Sequence, residues 1–515
     1  MTDPGGSTGA HSCVMVVILV AAAGFSGAAT AAQAQETFGP GEVVEVVQAA
    51  ADSTQSYAVY LPSRYDRAKR WPILFLMDPR GRALVPLNLF QEAAEERGYL
   101  LMSSYNTMSD GPREPNEVAI QAMVSDALAR FAIDTRRLYM VGFSGTAREA
   151  WEFASRIPDN VAGVIGFGAG LPGEWMDRAL AVSQGEVAYF GGAGTTDFNY
   201  EELRELDAAL DDTEIRHRTE FFDGGHEWAP QELCGRAIDW MELQAIRADL
   251  RPGNVAWVEG LYSALLEEAQ ALEDSGYVYE AAEAYRRIAA DFSGLLDVSE
   301  PDSKRTALQK LEAVEAAQAT LAELAQLRRE FDDELMVIAA ELEWQSDLPS
   351  VSDARKRLGI DELLETSQST EDTLRAQGAQ RRLENAFVQL SFYTPRNMLQ
   401  RSLPDRALAA LDVADAIKPH DPRVCWFRAR AFAQAERVSD ALQEIACLAD
   451  AGVTETSFLE EDPYLESLRD DARYQELVER MRRGAAPEEE ADEAEAEADT
   501  EPTKPDTQRR EGRRP

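Results

Sequence analysis

The side chains best suited to chemistry are Ser144, Asp197 and His226, each of which follows a predicted strand. A serine hydroxyl becomes a strong nucleophile when a histidine accepts its proton and a carboxylate orients that histidine. Ser144 stands between Gly142 and Gly145, where a short apolar run passes directly into a helical pattern. Such a strand-to-helix turn strains the serine backbone and lifts its hydroxyl clear of the sheet. The stretch therefore predicts a nucleophile elbow centred on Ser144.

The chain offers few candidates for the base, because it contains only four histidines. His11 lies in the N-terminal segment and His420 in a helical region. His217 lies inside a predicted strand between two arginines, which indicates a solvated position on the sheet. His226 follows the last predicted strand, and the two glycines before it allow the loop to bend toward the sheet edge. We therefore assign His226 as the general base.

Asp197 is assigned as the acid because it lies on the loop between the last two predicted strands. An ordinary role as the N-cap of the following helix is the alternative for this residue. Asp223 is the second choice, although it lies too near His226 along the chain for the usual arrangement. In a sheet with a nucleophile elbow, the acid and then the histidine follow the serine along the chain, on loops after later strands.

The oxyanion of the reaction needs two preorganised N–H donors. The sequence predicts the backbone N–H of Gly145 as one donor, and that of Arg80 or Gly81, in the turn after an apolar strand, as the other. Phe143 and Trp228 are predicted to line the substrate entrance, although ordinary packing would explain both aromatic residues as well. The sequence contains no C-x-x-C motif, so zinc and thioredoxin chemistry are unsupported. We expect no metal site.

Strand and helix patterns alternate from residue 42 to residue 250. This alternation predicts an α/β domain with a doubly wound, mainly parallel sheet. The predicted strands cover residues 56–62, 73–77, 99–103, 138–141, 161–168, 187–191 and 217–222. The predicted helices cover residues 87–97, 117–131, 146–157, 201–210 and 232–247.

Residues 255–484 lack a strand pattern and predict an all-α domain of helical repeats. Two helices joined at Gly276, with Ala and Tyr at close-packing positions, resemble a tetratricopeptide unit. A generic helical bundle is the alternative. Residues 303–344 predict a long amphipathic helical stretch, and residues 378–418 and 420–450 predict two further helix pairs. The likeness to tetratricopeptide modules implies a protein or peptide partner.

The two ends of the chain have compositions of their own. Residues 1–34 predict a secretory signal peptide, with an apolar run too short to span a bilayer and an A-x-A cleavage pattern at Ala32–Ala34. The absence of Lys and Arg before that run leaves an uncleaved N-terminal anchor as the alternative. Export to the periplasm or the exterior is expected, with no stable membrane span after cleavage. Residues 485–515 are rich in Glu, Asp and Ala and predict a disordered acidic tail.

Composition narrows the classes of partner. The 515 residues suffice for several domains, and 45% of them are hydrophobic, which is typical of a globular protein. A formal net charge of −41 argues against a nucleic-acid surface or a face for anionic membranes. Beyond the signal peptide three cysteines remain. Cys425 and Cys447 lie on the two helices of one predicted pair. They could form a disulfide in an oxidising compartment or remain two buried free thiols.

Residues 55–247 resemble the α/β-hydrolase superfamily. The elbow Tyr-Met-Val-Gly-Phe-Ser-Gly, the acid loop Gly-Thr-Thr-Asp-Phe-Asn-Tyr and the histidine loop Gly-Gly-His-Glu-Trp are similar to those of secreted esterases related to polyhydroxybutyrate depolymerases and feruloyl esterases. The resemblance implies hydrolysis of small or polymeric carboxylic esters through an acyl-enzyme, without a metal or organic cofactor. Thr146 departs from the elbow pattern, which has glycine there. Its β-branched side chain is expected to press on the strand and to lower catalytic efficiency.

Two other functions fit the same residues. One is an interaction protein whose hydrolase domain has weakened or lost its chemistry, a reading that Thr146 favours. The other is a peptidase or acyltransferase that uses the same three side chains, because a triad alone does not select the leaving group.

Overall fold

The computed structural model describes residues 38–157, 160–171, 187–345 and 347–484. The signal peptide predicted for residues 1–34 and the acidic tail predicted for residues 485–515 lie outside this described part of the chain. Among the helices of the described residues, none has the length and apolar character needed to cross a membrane.

An eight-stranded sheet organises the first half of the chain. Its strand order is β1-β2-β4-β3-β5-β6-β7-β8. β2 pairs antiparallel with β1 and β4, and the other neighbouring strands pair in parallel. The strands are β1 (Val43–Gln48), β2 (Ser56–Tyr60), β3 (Trp71–Met77), β4 (Leu100–Ser104), β5 (Ile133–Phe143), β6 (Val161–Phe167), β7 (Ala188–Gly194) and β8 (His217–Phe222). The predicted α/β class is confirmed, and the strand order is that of the α/β-hydrolase fold.

Helices follow β3, β4, β5, β7 and β8 along the chain. They are α1 (Leu84–Arg97), α2 (Glu114–Arg130), α3 (Gly145–Arg156), α4 (Tyr200–Asp211) and α5 (Gln231–Arg247). α1 ends as the sequence predicts: Gly98 adopts a left-handed φ of 80° and donates its N–H to Ala94 O at 2.8 Å. Every residue of β3 is buried, as expected of a central parallel strand covered on both faces.

The described residues after β8 are rich in helix. The segments after α5 are α6 (Val255–Asp274), α7 (Val278–Phe292), α8 (Ser299–Leu308), α9 (Glu312–Trp344), α10 (Val351–Arg357), α11 (Ile360–Thr366), α12 (Thr373–Val388), a π-helix (Gln389–Tyr393), α13 (Thr394–Gln400), α14 (Pro404–Asp415), α15 (Pro422–Gln434), α16 (Val438–Asp450), α17 (Ser457–Glu460), a 3-10 helix (Pro463–Leu468) and α18 (Ala472–Arg483). The helical stretch predicted for residues 303–344 is present as two helices, α8 and α9. The chain breaks between α8 and α9, where Leu311 is extended with ψ 133°, and neither Gly nor Pro marks that break.

Helix pairs recur within this region. α6 and α7 meet at Gly276, which has φ 83°, and α15 and α16 form the pair predicted for residues 420–450. Residues 378–418 also form a pair: α12 continues through the π-helix into α13 as the first helical arm, and α14 is the second. Cys425 and Cys447 are joined in a disulfide with their Cα atoms 6.1 Å apart. The tetratricopeptide likeness and its partner stay predictions.

Buried polar contacts join the α/β part to the helices that follow it. Arg218 on β8 donates to Asp291 on α7 at 2.5 Å, and Trp240 on α5 donates to the same carboxylate at 2.7 Å. The described residues from Pro40 onward belong to one compact unit. The domain limits 42–250 and 255–484 stay predictions of the sequence.

Candidate active site

Ser144 lies at the turn between β5 and α3. Its φ of 55° and ψ of −129° place a non-glycine residue in a strained backbone region. The surrounding structure holds that conformation, since Ser144 N–H donates to Phe167 O at 2.8 Å and Ser144 O accepts from Ala147 N–H at 3.0 Å. This is the geometry of a nucleophile elbow.

Close approach of strand and helix explains the glycine before the serine. A Cβ on Gly142 would lie 2.3 Å from Thr146 O and 2.6 Å from Ala147 N. Both atoms belong to the backbone, so no side-chain movement could relieve the contact. Only glycine fits at this position.

Thr146 does not exert the pressure that the sequence suggests. Its side chain is fully buried, and its hydroxyl oxygen accepts from Phe143 N–H at 3.1 Å. The same oxygen lies 2.7 Å from Met77 O and 2.8 Å from Phe143 O, to either of which it can donate. The hydroxyl therefore links the ends of β3 and β5, and the β-branched residue is accommodated by hydrogen bonds.

The structure brings together the three residues that the sequence selects. His226 Nε2 lies 2.9 Å from Ser144 Oγ. His226 Nδ1 lies 3.0 Å and 2.9 Å from the two carboxylate oxygens of Asp197. Because the three follow β5, β7 and β8, the parallel sheet brings them to one edge. Asp223, the second-choice acid, is exposed. His226 Nδ1, the atom that Asp223 would have to bind, is already bonded to Asp197.

Burial dominates the electrostatics of Asp197, which is fully inaccessible to solvent. Desolvation raises the pKa of this carboxyl, although the bonds to His226 and to the N–H of Asn199 act in the opposite direction. Asn199 also donates its side-chain amide to Gly168 O at 2.8 Å. The carboxylate is thus held in a dry, fixed position beside the imidazole.

The predicted oxyanion donors have different surroundings. Gly145 begins α3, and a Cβ there would lie 2.5 Å from the Cβ of Ser109. Arg80 N–H donates to the carboxylate of Asp78 at 2.8 Å, and Gly81 N–H donates to Asp78 O at 3.1 Å. Since both N–H groups of the turn already have acceptors, the second oxyanion donor stays a prediction.

Asp78 organises that turn more than the sequence indicates. Its buried carboxylate accepts from Arg82 Nη2 and from the indole N–H of Trp228, each at 2.9 Å. Burial alone would raise the pKa of Asp78, but the hydrogen bonds from Arg82 and Trp228 outweigh it and lower the pKa. The ionised carboxylate therefore ties the turn after β3 to the histidine loop.

Phe143 and Trp228 do not form an open entrance. They are only 5% and 8% exposed, and their ring centroids lie 5.5 Å apart. Phe143 also packs on His226, with the ring centroids 4.7 Å apart. The correction has a simple cause: both side chains join the main apolar core and support the imidazole from within.

A cavity of about 350 Å³ opens beside the turn after β3, with Arg80, Tyr105 and Met108 in its lining. The loop that follows β4 forms part of its wall and also carries Ser109, which packs on Gly145. The cavity thus adjoins the loop that contacts the elbow, but Ser144, Asp197 and His226 do not line it.

The structure revises the expectation for His217 and adds Phe198 to the site. His217 is not solvated: its side chain is 10% exposed, and Nε2 lies 3.4 Å from Asp211. Phe198 was not singled out, yet its ring centroid lies 4.3 Å from that of His226. Its position directly after Asp197 was the one available signal.

The strand order, the elbow and the hydrogen-bonded serine, histidine and aspartate define an α/β-hydrolase fold. No family model and no curated protein matches the sequence. Solved structures similar to this chain include a fluorophosphonate-binding serine hydrolase of Staphylococcus aureus, at 16% identity and TM-score 0.34, covering 39% of this chain and 99% of that one. A feruloyl esterase module from Clostridium thermocellum, complexed with sinapinate, matches at 14% identity and TM-score 0.33, covering 38% and 86%. The Bacillus cereus carboxylesterase matches at 15% identity and TM-score 0.30, and the match covers 38% of this chain and 96% of that one.

Proposed function

We propose that this chain is an exported serine hydrolase of carboxylic esters, with Ser144 as nucleophile, His226 as general base and Asp197 as the residue that orients the base. The observation that carries the proposal is the continuous hydrogen-bonded path from Ser144 Oγ through the imidazole to the carboxylate. The strained backbone of Ser144 supports it, since such strain persists where function requires it.

The reaction proceeds in two halves. His226 Nε2 takes the hydroxyl proton of Ser144 as Oγ attacks the ester carbonyl carbon, and Asp197 stabilises the imidazolium that forms. The N–H of Gly145 is our candidate donor to the oxyanion. The imidazolium then protonates the departing alcohol and leaves an acyl group on Ser144. Water, deprotonated by the same imidazole, releases the acid and restores the serine.

Export is part of the proposal. The signal-like N-terminal sequence supports it, and so does the disulfide between Cys425 and Cys447, because structural disulfides belong to oxidising compartments.

Hydrolysis of p-nitrophenyl butyrate by fractions of producing cells tests the proposal. We expect activity in the exported fraction, and we expect Ser144→Ala to lower kcat by about 10⁶-fold, because this change removes the nucleophile. Ser155→Ala, a serine on α3 that donates to a helix carbonyl, serves as the matched control and should retain activity.

Two results would contradict the proposal. If the folded wild-type protein turned over no ester, the result would favour the alternative of an interaction protein with an inactive hydrolase domain. If amides or acyl acceptors reacted faster than esters, the assignment would move to a peptidase or acyltransferase.

A further inference from the structure

Two arginines of the helical region reach the loop that carries Asp197. This loop is the acid loop named above, residues 194–200. Arg328 on α9 donates from Nη1 to Phe198 O at 2.5 Å, and Arg381 on α12 donates from Nη1 to Thr195 O at 2.8 Å. The two acceptor carbonyls lie on either side of Asp197 along the chain, so the acid is held from both flanks.

Arg381 is buried at this contact with Thr195 O. Its side chain is only 3% exposed, and Nη2 lies 3.2 Å from Glu201 Oε1. Its guanidinium carbon stands 4.2 Å from the centroid of the Tyr200 ring. Desolvation lowers the pKa of Arg381, against the opposing influence of Glu201. A buried guanidinium is stable only where such partners compensate it, and most of these partners belong to the acid loop or to the first turn of α4.

Arg328 is held in place from its own side. Its Nε donates to both carboxylate oxygens of Asp332, at 2.6 Å and 2.7 Å. Asn385 on α12 donates to the same carboxylate at 2.7 Å. Arg328 is therefore oriented by both helices when it binds Phe198 O. Since the ring of Phe198 packs on His226, these contacts form a connected path from the helical region to the imidazole.

The helical region also contacts the loop after β4. Tyr393, the last residue of the π-helix, donates its hydroxyl to Asp110 Oδ1 at 3.1 Å. Asp110 accepts in turn from Ser109 Oγ at 3.0 Å, and Ser109 packs on Gly145 of the elbow. Short π-helical segments are frequent at functional sites. The helical region thus contacts loops on both the acid and the elbow sides of the site.

We propose that Arg328 and Arg381 are positioning residues for the reaction, so that the helical region is an integral part of the hydrolase and not an independent module. The catalytic consequence rests on the proposed function; the restraint of the acid loop does not. Loosening the loop displaces Asp197 and Phe198 from His226, and small displacements of catalytic groups reduce turnover strongly. Substrate contacts are not altered, so KM should change little.

The test compares Arg328→Gln and Arg381→Gln with Arg329→Gln in the full-length protein. Arg329 is a matched control, because it is the next residue of α9, is 56% exposed and reaches Glu205 only at 3.5 Å. We expect the first two variants to lower kcat for p-nitrophenyl butyrate by about 10- to 100-fold with little change in KM, and the control to behave as wild type. Arg328→Lys should restore part of kcat, because an ammonium can donate to Phe198 O but lacks the guanidinium fork for Asp332.

Hydrogen exchange of peptides covering residues 195–200 gives a readout that does not depend on activity. We expect faster exchange there in both glutamine variants, with exchange in the core strands unchanged. Unchanged exchange and unchanged kcat would overturn the proposal, and so would faster exchange throughout the protein, since that indicates general destabilisation. If the wild type turned over no ester, the proposed function would fail, and the exchange data alone would decide whether the helices restrain the loop.

Discussion

Asp197→Asn is expected to lower kcat for ester hydrolysis by about 10⁴-fold. The amide cannot stabilise the imidazolium of His226, and it allows the tautomer whose Nε2 carries a proton and cannot accept one from Ser144. Steady-state kinetics on p-nitrophenyl butyrate measure the effect, with circular dichroism to establish that the fold is kept. Asp223→Asn is the control: this exposed aspartate of the histidine loop should tolerate the change. A variant at Asp197 that kept near wild-type turnover would exclude the assigned role.

The same substitution is expected to leave stability unharmed at neutral pH. Burial raises the pKa of Asp197 in the folded state. A raised carboxyl pKa means that the stability this group contributes is present below the unfolded pKa and is lost as pH rises through the folded pKa. The melting temperature of Asp197→Asn should therefore exceed that of the wild type at pH 7, and the difference between the two should shrink toward pH 4. A wild type that melted higher than the variant at pH 7 would contradict this sign.

Gly142→Ala is expected to destabilise the protein by about 1–3 kcal/mol and to remove most of its activity. The added Cβ would meet the backbone of Thr146 at 2.3 Å, so the strand and helix must separate and the elbow must lose its geometry. Urea unfolding measures the first effect and ester turnover the second.

Gly235→Ala on α5 is the matched control for that change. A Cβ there would meet only the Cβ of Ala93, at an ordinary 3.6 Å. A glycine-to-alanine change at a compatible helix position stabilises by about 0.4–1 kcal/mol. If the variants at Gly142 and Gly235 unfolded at the same urea concentration, the close approach at the elbow would not be the constraint described here.

The sequence specifies the core of the site because each part has a local signature. Ser144 follows an apolar strand between glycines, Asp197 follows β7, and His226 follows β8 behind two glycines. The apolar runs and the turn residues that bound them locate the ends of the strands. A parallel sheet brings the carboxyl ends of its strands to one edge. The fold class and the meeting of these three residues follow from that rule.

Other features depend on contacts between distant parts of the chain, which have no local signature. Arg328 and Phe198 are separated by 130 residues, and Arg381 and Thr195 by 186. The hydroxyl of Thr146 is 2.7 Å from Met77 O of a neighbouring strand, so the elbow motif alone suggests a steric defect where the structure has hydrogen bonds. The burial of Trp228 likewise has no local signature, because its hydrogen bond to Asp78 spans 150 residues.

Labelling with a fluorophosphonate probe, followed by mass spectrometry of the adduct, tests the central claim most directly. An activated serine attacks the phosphorus and displaces fluoride, whereas an ordinary surface serine does not. We predict one adduct per wild-type chain, on the peptide that contains Ser144, absent from Ser144→Ala and strongly slowed in His226→Ala. A well-folded wild-type protein that gave no adduct, or one on another residue, would contradict the assignment of Ser144 as the nucleophile.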